Sequence, residues 1–119
     1  MVDIFLTNSL THKKEKFVPI NGKKVNLFVC GPTVYDYPHI GNAKTYTQFD
    51  FLARFLRYAG FDVFYLQNIT DLDDKILSRS SKLGIGWKEL TNKYEGIYIY
   101  LIFAKLFSLN DYYFHQLFK

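Results

Sequence analysis

Cysteine is nearly absent: Cys30 is the one thiol in 119 residues. An internal disulfide is therefore excluded, and a lone thiol fits a reducing compartment. Proline (three), methionine (one) and tryptophan (one) are also sparse, and neither an internal repeat nor a low-complexity linker is visible. No apolar run reaches the roughly 20 residues of a spanning helix; the most apolar, Ile97 to Phe107, is interrupted by Lys105. The stretch from Met1 to Leu10 lacks a basic segment followed by an apolar one, so no signal peptide is read there. Together these absences predict a cytoplasmic chain with no membrane partner. A strong charge of one sign is missing as well. The net charge is +4, with its basic residues scattered and densest at Lys13, Lys14 and Lys16 and at Lys23 and Lys24, an excess that more often marks a solvated surface than a polyanion-binding face.

What is present is enough apolar character, 49%, to bury the core of one small domain. Val25, Leu27 and Val29 alternate with Asn26, Phe28 and Cys30; both faces are largely apolar, which predicts a central strand covered on both sides. Gly31 and Pro32 break it, and loop chemistry continues to Pro38. From Asn42 to Tyr58 the period changes, with Phe49, Leu52, Phe55, Leu56 and Ala59 on one face of a helix that Gly60 ends. Asp62 to Gln67 reads as a second buried strand. Thr70 or Asp71 then caps a helix to Lys82 closed by Gly84, and a last helix starts near Trp87 and passes Leu90 and Tyr94. Strand, helix, strand, helix predicts a parallel βαβ unit. After Gly96 the signals conflict: Ile97 to Phe103 has strand propensity yet follows directly on a helical pattern.

The turn between first strand and first helix carries the candidate chemistry. His39 and Asn42, separated by Ile40 and Gly41, stand at a helix start where both side chains and free backbone N–H groups can point at one anion. Gly41 leaves room for a bulky ligand at the backbone. A histidine there can donate to a phosphoryl oxygen as charge builds up during displacement at phosphorus. Taken alone, a histidine before a helix is more often a cap or a surface residue.

The longer string Cys30-Gly-Pro-Thr-Val-Tyr-Asp-Tyr-Pro-His-Ile-Gly-Asn42-Ala resembles the N-terminal active-site segment of class I cysteinyl-tRNA synthetases, with His-Ile-Gly-Asn standing for that family's His-Ile-Gly-His signature. Asn68-Ile-Thr-Asp-Leu-Asp-Asp-Lys-Ile76 resembles a second segment of the same family, in the right order and at the expected distance. The resemblance implies an α/β fold: a Rossmann-like parallel sheet, incomplete here, with residues 1–96 forming the N-terminal half of a class I catalytic domain. It implies activation of cysteine by Mg-bound ATP and transfer to tRNA(Cys). His39 and Asn42 would be catalytic; Pro32, Thr33, His39, Gly41 and Asn42 would bind ATP; Gly31 and Thr70 would hold cysteine. Cys30 would be one of four zinc ligands that test the substrate thiolate.

From its residues alone, Cys30 is a small hydrophobe ending a strand; there is no second cysteine, and His12 and His115 lack metal-ligand spacing to it. Asp71, Asp73 and Asp74 read first as carboxylates favoured by a helix N-terminus. The family's Lys-Met-Ser-Lys-Ser loop and tRNA-binding helical domain are not in these 119 residues, so the isolated chain is expected to be inactive. Residues 97–119 form an aromatic-rich tail that departs from the family pattern, as a truncated or frame-shifted reading would. Two other functions stay open: a non-catalytic ATP-binding, tRNA-binding or partner-docking module, and the mycothiol-pathway ligase that joins cysteine to an amino sugar.

Overall fold

The computed structural model describes residues 3–100 and the backbone of 113–116. Five strands and three helices follow in the order β1 (Phe5–Asn8), β2 (Lys13–Lys16), β3 (Lys24–Val29), α1 (Ile40–Tyr58), β4 (Asp62–Ile69), α2 (Asp74–Leu83), α3 (Trp87–Tyr98) and β5 (Tyr113–Gln116). β3, β4 and β5 form a parallel sheet in that order, while β1 and β2 pair antiparallel as a separate hairpin. The predicted strand, helix, strand, helix is present, and the molecule is α/β.

Within this plan β4 is central and β3 lies at the edge of the described sheet, the reverse of the sequence expectation for β3. Apolar residues on both sides of a strand do not reveal which side is covered. Val25 and Val29 are buried with Val63 and Tyr65 in one cluster that takes in Tyr46, Ala53 and Leu56 of α1. On the opposite side Phe28 and Phe64 are 59% and 44% exposed. α1 thus covers one face only.

α1 begins two residues earlier than its periodicity indicates, because His39 caps it. Its core face runs through Tyr46, Phe49, Ala53 and Leu56, and Phe55 instead stacks on Phe51 at the surface. Gly60, at φ 91°, takes the left-handed turn that ends the helix. α2 is capped by Asp73, whose carboxylate accepts from the Ile76 N–H at 2.9 Å, rather than by Thr70 or Asp71. α3 starts at Trp87 as expected and runs through Gly96 to Tyr98, so helical periodicity prevails over strand propensity there. Positions 101–103 of the strand-like run, and the tail at 101–112 and 117–119, lie outside the described residues.

The β1–β2 hairpin has no counterpart in the sequence reading. Its turn is built from side-chain bonds: Asn8 Oδ1 accepts from the Leu10 N–H at 2.9 Å, and Asn8 and Thr11 both donate to Glu15. Those two bonds hold the Glu15 carboxyl below its ordinary pKa. Lys13 and Lys14 mask the alternation that betrays a strand, since a two-stranded ribbon in water buries little.

Candidate functional site

β3 and β4 end side by side, and the chain leaving each is fastened to the other. Gly31 donates its N–H to Asn68 Oδ1 at 2.9 Å, and Asn68 Nδ2 donates to Thr70 Oγ1 at 3.2 Å. Two backbone bonds continue the clasp, Thr70 N–H to the Pro32 carbonyl at 2.9 Å and Val34 N–H to the Thr70 carbonyl at 3.1 Å. Gly31 cannot be another residue here, because a Cβ on it would stand 1.6 Å from the Asn68 carbonyl oxygen. The carboxyl end of a parallel sheet is where open α/β folds place ligands.

Beside this clasp the turn from 31 to 39 and the first turn of α1 enclose a cavity of about 380 Å³. Gly31, Pro32, Thr33, His39 and Asn42 line it, five of the residues singled out in the sequence. Three others are not among its lining. Thr70 joins the site through Asn68, and Gly41 serves the cap, where a Cβ would stand 2.8 Å from the His39 ring. Cys30 is exposed at the end of β3.

His39 and Asn42 cap each other. The Gly41 N–H donates to His39 Nδ1 at 3.0 Å, and the His39 N–H donates to Asn42 Oδ1 at 3.0 Å. This reciprocal arrangement satisfies donors that a helix start leaves free. With Nδ1 accepting, the neutral imidazole carries its proton on Nε2.

Tyr35, Asp36, Tyr37, Tyr46, Lys75 and Tyr98 complete the wall. Tyr35 to Tyr37 lie inside the first motif and Lys75 inside the second, so their neighbours marked them. Tyr46 sits one helical turn after Asn42. Tyr98 comes from the far end of α3, and no sequence signal joined it to the site. Burial raises the Tyr46 hydroxyl pKa well above the usual phenol value; Tyr98 adds to the shift and a hydrogen bond with Asn42 partly offsets it. Burial also raises Tyr98, with Tyr35 and Asp36 contributing. A neighbouring cleft of about 440 Å³ shares Tyr35, Asp36 and Lys75 and adds Arg79, which pairs with Asp36 at 3.2 Å. At the end of β4, Gln67 Nε2 and Asp71 Oδ1 are buried with no hydrogen-bond partner among the described residues.

The described residues contain no group of three or more His, Cys, Asp or Glu side chains able to hold a metal ion. Nor is any described helix long and apolar enough to cross a membrane.

A cysteine–tRNA ligase of Thermodesulfovibrio yellowstonii is 50% identical over 91 residues, 76% of this chain and 19% of that protein. One from Aeropyrum pernix is 48% identical over 99 residues, 83% of this chain and 21% of its own length. A third, from Clostridioides difficile, is 55% identical over 87 residues, 73% of this chain and 19% of its length. The chain thus spans about a fifth of the relatives it matches. Residues 16–110 match the family described as tRNA synthetases class I (C) catalytic domain, a stretch that holds both motifs and the cavity they line. The chain belongs to that family.

Proposed function

We propose that this chain supplies the nucleotide-facing and cysteine-facing wall of a cysteine–tRNA ligase. In that reaction the cysteine carboxylate attacks the α-phosphorus of Mg-bound ATP, pyrophosphate leaves, and cysteinyl-adenylate passes its cysteinyl group to tRNA(Cys) with release of AMP. The observation that carries the reading is the reciprocal cap of His39 and Asn42 on the cavity wall. With Nδ1 engaged by Gly41, the remaining Nε2–H donates to a phosphoryl oxygen as negative charge builds up on it. Pro32, Thr33 and Gly41 let the nucleotide approach the backbone. Gly31 and Thr70 hold the amino acid, an assignment supported by the single Asn68 side chain that joins them. The relatives named above are tRNA ligases, which supports tRNA over an amino sugar as acceptor.

Residues 1–96 form, in this reading, the N-terminal half of a Rossmann-like catalytic domain working in the cytoplasm. A zinc ion would take the substrate thiolate, a selection that a serine hydroxyl fails. Cys30 offers one exposed ligand, and the described residues do not assemble the other three.

Titration calorimetry of the 119-residue chain with Mg-ATP tests the proposal. Binding that weakens at least tenfold in His39→Ala is expected, and a wild-type chain that takes up no ATP sinks it. Cysteine-dependent exchange of pyrophosphate into ATP is expected to be absent from the chain alone, because one wall does not enclose the reacting groups.

A further inference from the structure

Asn42 is held from three sides. Its Oδ1 accepts from the His39 N–H at 3.0 Å and from the Tyr98 hydroxyl at 3.3 Å, while its side chain also bonds the Tyr46 hydroxyl. A carboxamide oxygen has two lone pairs, so these two donors fill it. The bond to Tyr46 lowers that phenol's pKa, as a donor to its oxygen does, so Nδ2–H makes it; the orientation of the amide is thereby set, and one N–H remains for the cavity Asn42 lines. Tyr98 is 4% exposed, and a buried phenol hydroxyl needs such a partner. The bond joins the end of α3 to the first turn of α1 across 56 positions of sequence.

We propose that Tyr98 is a positioning residue: its hydroxyl locks the Asn42 carboxamide with the oxygen inward, and through the reciprocal cap it holds His39 in place. Freed from Tyr98, the carboxamide keeps the His39 N–H on its oxygen and its bond to Tyr46, and its hold on the oxygen-inward orientation weakens, so that an acceptor turns toward the cavity for part of the time. An anionic phosphate would then meet an oxygen where it now meets a donor. The consequence for nucleotide binding rests on the function proposed above; the positioning itself is measurable without nucleotide.

The decisive variant is Tyr98→Phe in the 119-residue chain, which keeps the ring and removes the hydroxyl. Hydrogen exchange of the His39 backbone amide, read by nuclear magnetic resonance, is expected to accelerate roughly three- to tenfold, as loss of one neutral hydrogen bond predicts. ATP affinity is expected to weaken by a similar factor, with circular dichroism unchanged. In an Asn42→Ala background the same substitution is expected to change neither. A folded Tyr98→Phe chain whose His39 exchange is unchanged overturns the proposal, whatever ATP does. Accelerated exchange in a chain that binds no ATP upholds the positioning and overturns the nucleotide reading instead. Should Tyr98→Phe fail to fold, Asn42→Ala serves: the Tyr98 Cζ resonance is expected to shift on losing its acceptor, and a stationary resonance overturns the contact.

Discussion

Gly31 and Asn68 meet so closely that a single methyl group on Gly31 would lie 1.6 Å from the Asn68 carbonyl oxygen, while the Asn68 side chain accepts the Gly31 N–H. The obstruction is backbone, which cannot swing aside as a side chain can. Gly31→Ala is accordingly expected to cost about 3 kcal/mol, the upper range for overpacking, measured by urea unfolding. A loss under about 1 kcal/mol would mean that the strands separate more easily than this crossing allows.

His39 has two separable duties. His39→Ala removes both the cap and the donor, and should lower stability by about 1 kcal/mol as well as weaken ATP binding. His39→Asn keeps a good capping side chain and should restore most of the stability without restoring ATP affinity. Thermal melts beside calorimetry separate the two; recovery of both in His39→Asn would assign the histidine to capping alone.

Asp73, not Asp71, starts α2. Removing its carboxylate in Asp73→Ala is expected to cost about 1 kcal/mol, whereas Thr70→Ala leaves the α2 cap intact. Helix content and urea midpoints of the two variants provide the comparison.

Alkaline pH should destabilise the fold through its buried phenols. Burial, with the Asp50 carboxylate adding to it, raises Tyr65 from 10.0 to about 12, and Tyr46 and Tyr98 shift the same way. Because the folded pKa lies above the unfolded one, the Tyr65 contribution is complete below pH 10.0 and is lost as pH rises through about 12, with Tyr46 and Tyr98 acting in the same direction. Tyr65→Phe should flatten part of that decline in melting temperature across the same interval. Equal slopes for variant and wild type would remove Tyr65 as a cause.

Much of the βαβ core was readable because its signals are local. Val25 to Val29, the period of α1, Gly60 and Gly84 each act within one element, and each is found where its residue type requires. The cavity was legible to the extent that its residues lie within two contiguous motifs. The hairpin was not, since its strands are lysine-rich and its turn depends on side-chain bonds among Asn8, Thr11 and Glu15. The cap of α2 was misplaced because Thr70, Asp71 and Asp73 are all competent caps, and the choice depends on where β4 releases the chain. Thr70 bonds back to Pro32, which commits it to the sheet and delays the helix to Asp73.

The sequence by itself determined the family, the parallel order of strand and helix, and the residues at the turn, because motif and periodicity are properties of neighbours along the chain. Only the tertiary structure decided that one face of the sheet is covered, that Gly31 is needed against Asn68 as well as at the cavity, and that Tyr98 reaches Asn42. Those contacts join residues tens of positions apart, and no local preference encodes them. They exist because burying the core brings α1, β4 and α3 together.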